Sequence, residues 1–196
     1  MTKTLEFFFD LGSPASYLAW TQLPALCAST GATLHYRPML LGGVFQATGN
    51  SSPAAVPAKG RYMATDLLRH ARRYGVPFAF NPHFPINTLA LMRGAIGYQM
   101  QLPEDFARYL EALFNALWVD QRNLADDAVL GPILEAAGLD VQQYQAMISD
   151  DQVKGALKAS TEEAVQRGVF GAPTFFVGDE MYFGQDRLEF VTETLR

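Results

Sequence analysis

The chain has 196 residues, enough to bury one large core or a core plus a subdomain, and carries 15 Lys and Arg against 20 Asp and Glu for a formal net charge of −5. No basic run accompanies that mild acidity, which argues against nucleic acid as the main partner. Cys27 is the only cysteine, so an intramolecular disulfide is excluded, and no apolar run approaches the ~20 residues of a membrane span.

Residues 4–9 (Thr4-Leu5-Glu6-Phe7-Phe8-Phe9) predict a short aromatic strand. The first residues lack the basic start and apolar core of a signal peptide, so a soluble, cytoplasmic protein is expected. Residues 14–30 predict a helix with Leu18, Leu23, Leu26 and Cys27 on one face. Pro24 is expected to kink or break that helix and Gly31 to stop it, while Cys27 reads as a buried, unreactive thiol. Residues 33–38 predict a second strand, parallel to the first through a right-handed crossover.

From about residue 43 to 165 the spacing is helical, with segments at 59–74, 87–100, 104–119, 125–137, 141–148 and 152–167. Pro103 stands at the first turn of the third, and Pro- and Gly-rich connectors, including Gly42-Gly43, separate the segments. Thr174-Phe175-Phe176-Val177, a turn at Gly178-Asp179 and Met181-Tyr182-Phe183 then predict a β-hairpin. Gly184-Gln185-Asp186-Arg187 opens a last helix ending at Leu195. The order βαβ, helices, ββα describes an α/β protein whose small sheet is interrupted by a helical insertion.

Ser13 and Ser16 carry the spacing of a Cys-x-x-Cys redox pair, at a strand-to-helix turn where free N–H groups and the positive dipole end favour an anion. Serines cannot form a disulfide, so thiol–disulfide exchange is excluded for want of a resolving thiol. None of His35, His70 and His83 lies in a recognisable hydrolase motif, which disfavours Ser13 as a nucleophile.

Phe9-Asp10-Leu11-Gly12-Ser13-Pro14, Phe170-Gly171-Ala172-Pro173-Thr174-Phe175 and Phe183-Gly184-Gln185-Asp186-Arg187-Leu188 together resemble the motifs of the 2-hydroxychromene-2-carboxylate isomerase family. That family groups with kappa-class glutathione transferases on a DsbA-like thioredoxin fold. Thr48-Gly49-Asn50 and the stretch from Pro57-Ala58-Lys59 to Tyr62 fit as well, so the resemblance runs nearly end to end. It implies a thioredoxin-like small mixed sheet with a large all-helical insertion, divided as 1–42 with 153–196 and 43–152. It also implies glutathione as cofactor, a small aromatic organic substrate from aromatic-compound degradation, and a homodimer.

Each motif has an ordinary reading beside the implied one. Ser13 is a favoured helix N-cap, and by resemblance its hydroxyl holds the sulfur of glutathione. A free thiol titrates near 8.5, so a shift of one or two units makes thiolate the main neutral-pH species. Ala172-Pro173 reads as a trans proline opening a strand; the resemblance implies a cis bond, with the Ala172 backbone pairing with glutathione as an added strand. Gln185, Asp186 and Arg187 can simply cap a helix. By resemblance they meet the γ-glutamyl ammonium and carboxylate, Asp186 foremost. Asn50 and Lys59 are loop polar residues that the family's loop turns into glutathione or carboxylate contacts.

On the substrate side the resemblance implies a basic residue near the loop after the second strand. Val44-Phe45-Gln46-Ala47 has none, leaving Arg37, Lys59 or Arg61 as replacements. Phe45, Phe84 and Trp118, with Tyr62, form an expected aromatic wall, although aromatics at helical spacing also serve plain cores. The implied activity is a glutathione-dependent cis–trans isomerisation by reversible thiolate addition. The alternatives are a kappa-like glutathione transferase and a non-catalytic module binding peptides in the proline groove.

Overall fold

Alternation along one strand determines how the sheet is covered. In the computed structural model, which describes residues 2–196, β1 (Thr4–Phe9) pairs in parallel with β2 (Thr33–Pro38) and antiparallel with β3 (Thr174–Val177). β3 in turn pairs antiparallel with β4 (Glu180–Phe183), so the sheet order is β2-β1-β3-β4. Phe7 and Phe9 point to one face and stack with each other at 5.0 Å, and Phe7 meets Phe175 at 5.4 Å. Burying a phenylalanine of this kind contributes roughly 2–3 kcal/mol. Phe8 points to the other face, edge-on to Phe176 at 5.6 Å, in a smaller cluster with Met39, Val44, Ala164 and Val169.

Charge seals that second face. Glu6 accepts from Arg37 Nη1 at 2.6 Å and from Arg167 Nη2 at 2.7 Å, and Arg37 also pairs with Glu163. The Arg167 guanidinium lies 3.9 Å from the centroid of the Phe176 ring, and Arg37 lies 5.0 Å from that of Phe8. Arg37 is thereby committed to the sheet.

The first helix, α1 (Pro14–Thr30), is continuous through Pro24, contrary to the expected break. Pro24 is exposed, so its ring lies on the solvent side of the helix and displaces no core contact. Gly31 closes the helix at φ 69°, its N–H donating to the Cys27 carbonyl. Cys27 is only partly buried, yet burial pushes its thiol above the ordinary range.

Gly42-Gly43, read as a connector, lies instead inside a short helix, α2 (Leu41–Thr48). Its two glycines each cost about 1 kcal/mol of helix propensity, so tertiary packing must supply the stability. Val44 is fully buried in the Phe8 cluster, and a Cβ on Gly43 would stand 3.2 Å from the Thr161 methyl. A Pro53–Ala55 turn of 3-10 helix follows. The remaining helices fall within about two residues of expectation: α3 (Pro57–Tyr74), α4 (Leu89–Gln101), α5 (Pro103–Trp118), α6 (Asp127–Ala136), α7 (Val141–Ser149) and α8 (Asp151–Gln166). A 3-10 turn at Gln185–Arg187 leads into α9 (Leu188–Leu195). One buried cluster runs from Phe7, Phe9 and Phe175 of the sheet to Leu113, Phe114 and Tyr144 of the inserted helices.

Asp10, just past β1, joins three segments. It is fully buried; its Oδ1 accepts from the Gly12 N–H at 2.8 Å, and its Oδ2 accepts from the Leu41 N–H at 2.8 Å and Thr88 Oγ1 at 3.1 Å. Burial pushes its carboxyl above the ordinary 3.8, against the pull of those three hydrogen bonds.

Two predictions follow from these carboxylates. Hydrogen bonding from Arg167, then the charges of Arg167 and Arg37, hold Glu6 below its ordinary 4.5 despite partial desolvation. Its contribution is therefore present above that value and lost as pH falls through the folded one. Glu6→Gln is expected to cost about 1–3 kcal/mol at neutral pH and to flatten the acid limb of stability measured by denaturant unfolding. Asp10 has the opposite sign: its raised pKa favours the folded state at acid pH, and that advantage disappears as pH rises above 3.8. Asp10→Ala should cost about 2–4 kcal/mol through orphaned donors. The stability of wild type relative to Asp10→Asn should decline with rising pH; a flat difference across that range contradicts the assignment.

Candidate active site

A cavity of about 960 Å³ opens where the three motifs converge. The α1 N-terminus forms one side. Ser13 caps it with φ −95° and ψ 113°, its Oγ accepting from the Ser16 N–H at 3.1 Å while its own hydroxyl donates to the Ala172 carbonyl at 3.1 Å. Pro14 has no N–H, and the Tyr17 N–H is taken by the Ser13 carbonyl, which leaves the Ala15 N–H without a protein acceptor among the described residues. Ser13, Ala15 and Ala172 all line the cavity.

The Ala172–Pro173 bond is cis, as the resemblance implies, and Phe84–Pro85 is cis as well. The Ala172 N–H has no protein acceptor among the described residues. The Pro173 carbonyl accepts from the Gly184 N–H at 3.0 Å, which fastens the second motif to the third. These segments approach closely: a Cβ at Gly171 would sit 2.6 Å from the Phe183 ring, so a larger residue there would displace that exposed side chain.

Eight of the residues singled out in the sequence line the cavity: Ser13, Asn50, Lys59, Ala172, Gln185, Phe45, Phe84 and Tyr62. Asn50 is held by donation from Nδ2 to the Phe170 carbonyl at 2.7 Å, and the Gln185 carbonyl is anchored by the Tyr74 hydroxyl at 2.7 Å. Pro173, Asp186 and Arg187 do not line it. Pro173 is buried behind Ala172. Asp186 and Arg187 form an exposed ion pair with each other through Oδ2 and Nη1 at 2.6 Å, a contact that uses one oxygen and one nitrogen. Trp118 is fully buried behind Phe84 and donates to the Leu11 carbonyl at 2.9 Å, so it backs the wall instead of forming its surface. Of the candidate cations, Arg37 is held by Glu6 and Glu163 and Arg61 lies outside the lining; Lys59 alone reaches it among the described residues.

Several lining residues were not among the expected site residues, although Asp10, Phe170 and Phe183 belong to the three motifs. Met63, Asp66 and Leu67 continue the Lys59–Tyr62 face of α3 at helical spacing, a signal present in the chain. Asp10 and Thr88 could have been flagged only through Asp10, a carboxylate directly behind an aromatic strand. Val56, Phe170 and Phe183 are exposed apolar residues at the cavity. Ser16 contributes only its N–H: its buried Oγ has no hydrogen-bond partner.

The donor set suits a thiol-bearing peptide. A hydroxyl and an amide N–H at a helix N-terminus offer two donors for sulfur, the Ala172 N–H offers an open donor beside a carbonyl that the Ser13 hydroxyl occupies, and Lys59 offers a carboxylate partner.

Comparison with known proteins agrees with this geometry. The DSBA-like thioredoxin domain family matches residues 4–196. The 2-hydroxychromene-2-carboxylate isomerase of Sphingobium xenophagum is 34% identical over 100% of this chain and 99% of its own length. Human glutathione S-transferase kappa 1 is 28% identical over 100% of this chain and 92% of its own. A solved 2-hydroxychromene-2-carboxylate isomerase superposes with a TM-score of 0.86 at 31% identity, covering 98% of this chain and 94% of that one. The chain therefore belongs to the 2-hydroxychromene-2-carboxylate isomerase family of DsbA-like thioredoxin-fold proteins, and is an enzyme of the isomerase type.

Proposed function

We propose that the protein is a glutathione-dependent cis–trans isomerase of a conjugated carbonyl compound. The observation that carries the reading is the convergence of the Ser13 hydroxyl and the open Ala15 and Ala172 N–H groups on one cavity without any redox thiol. Glutathione is supported by the kappa-class relatives and by the donor set; an aromatic-derived substrate is supported by the names of the isomerase relatives.

Glutathione, held by Ser13, the Ala172 backbone and Lys59, would supply a thiolate able to add reversibly to a conjugated system and to be expelled again once the geometry has changed. The protein's own groups act around that step. Ser13 must turn its O–H from the Ala172 carbonyl to the sulfur, a rotation about one side-chain bond. The Ala172 carbonyl is then free to accept a peptide N–H, so sulfur binding and strand-like pairing are coupled through one hydrogen. The Ala15 N–H and the helix dipole add to the field that favours thiolate. Lys59, at the start of α3, pairs with a carboxylate of the peptide, and Gln185 offers its amide to the other end. The half-buried Phe45 and Phe84 exclude water from the reacting carbons.

Ser13→Ala is expected to lower kcat/KM by about 10²–10³, and to cost about 1 kcal/mol of stability through the lost cap. The assay follows isomerisation of a conjugated enone under catalytic glutathione. Recovery of all the glutathione marks the isomerase, and its stoichiometric consumption marks a transferase. Full activity in Ser13→Ala, or turnover without glutathione, contradicts the reading.

A further inference from the structure

One wall of the cavity is bound only thinly to the core. No residue between Val44 and Leu67 is buried, although Asn50, Ser52, Val56, Lys59 and Tyr62 line the cavity. Gly49 ends α2 at φ 70°, with nothing within 4 Å of where a Cβ would stand. The 3-10 turn folds onto the first turn of α3, where a Cβ on Gly60 would lie 3.3 Å from the Ala54 Cα, so these two pieces form one body. Among the described residues, one hydrogen bond leads from 50–61 to another wall: Asn50 Nδ2 donates to the Phe170 carbonyl at 2.7 Å. The other hydrogen bonds of the segment stay within it or run along α3. The start of α3 is weak as well, with no side-chain N-cap and no acidic residue in its first turn, where Lys59 stands. Uncapped N–H groups and a cation near the positive end of the dipole both disfavour a helix start. A segment with these properties opens locally at low free-energy cost.

The apolar surface at the mouth is divided between this segment and another wall. Four of the eight large apolar side chains exposed among the described residues line the cavity. Val56 and Tyr62 belong to the segment; Phe170 and Phe183 belong to the wall that carries Ala172, their ring centroids 4.6 Å apart. Exposed apolar groups on two sides of one mouth gain burial when the sides close on a ligand or on each other.

We propose that residues 50–62 are a lid, latched by Asn50 on the Phe170 carbonyl, that opens to admit ligand and closes Val56 and Tyr62 over it. The pivot at one end is Gly49, whose left-handed backbone and open surroundings accept a change of dihedral angles. At the other end the uncapped first turn of α3 takes up the motion. A ligand carboxylate paired with Lys59 brings negative charge to the start of α3 and so favours the closed form. That coupling rests on the glutathione reading; the lid itself does not.

Amide hydrogen exchange on the whole chain tests this, with glutathione binding followed separately by calorimetry. In the free protein, amides of 50–61 are expected to exchange about a hundredfold faster than those of α3 beyond Leu67. Asn50→Ala should speed exchange of 50–61 by about two- to tenfold and leave α3 beyond Leu67 and α4 unchanged. Saturating glutathione should slow exchange of the segment by about tenfold. Val56→Ser should reduce that slowing and hasten glutathione release while leaving its association rate unchanged. Exchange of 50–61 as slow as the rest of α3 in the free protein overturns the lid, whether core packing or a second copy of the chain covers it. Exchange unaltered by Asn50→Ala overturns it too, as does glutathione that binds without slowing the segment. If glutathione does not bind, the glutathione reading falls, and the comparison of free wild type with free Asn50→Ala decides the lid alone.

Discussion

A carboxylate buried at the end of an aromatic strand holds this site in register. Asp10 accepts from Gly12, which precedes the Ser13 cap, from Leu41 at the start of α2, and from Thr88 just before α4. Those three donors lie on three separate segments, which backbone contacts such as that of the Met39 N–H with the Phe9 carbonyl also hold near this point. Removing the carboxylate would leave each donor buried or competing for water, so the strand–helix turn, the helix after β2 and the entry to the inserted helices depend on one side chain. The cavity lies against this clip: Asp10, Gly12, Ser13, Leu41 and Thr88 all line it. Burial works against the clip by raising the carboxyl pKa, which links the order of the site to pH.

The second constraint is the union of distant motifs. Ser13 and Ala172 are 159 positions apart and share one hydrogen bond. Gly184 reaches back to Pro173, and Asn50 reaches across to Phe170. Each of these contacts ends on a backbone carbonyl, so Ala172, Pro173 and Phe170 take part through their main chain, while Ser13 and Asn50 take part through their side chains. Opposite them the sheet is sealed by Arg37 and Arg167 over Phe8 and Phe176, a use of cations that removes them from any binding role.

Much of this was legible in the chain. Aromatic and β-branched runs at Thr4–Phe9 and Thr174–Val177 marked the strands, and helical spacing marked the helices from α3 to α8 to within about two residues. The Lys59 and Gln185 positions were found through motif and order. Other features were not legible, for physical reasons. α2 contains two glycines and exists because Val44 and Gly43 pack against the sheet and α8, information absent from local propensity. Pro24 lies on the exposed side of α1, and the packing of Leu18, Leu23 and Leu26 on the buried side holds the helix together across it. Asp186 and Arg187 carry the right charges for an amino acid head group and pair with each other just outside the cavity lining, a placement that sequence alone does not show. Trp118 reads as a wall residue and sits one layer deeper.

The chemistry rests on whether the α1 terminus lowers the proton affinity of a bound thiol. The most direct measurement is the ultraviolet absorbance of thiolate for protein-bound glutathione as a function of pH, compared between the wild-type chain and Ser13→Ala. An apparent pKa at least a unit below the free value of about 8.5 is expected in the wild type, returning toward it in the variant. A bound thiol that titrates like free glutathione, or a titration unchanged by Ser13→Ala, contradicts thiolate activation by this site.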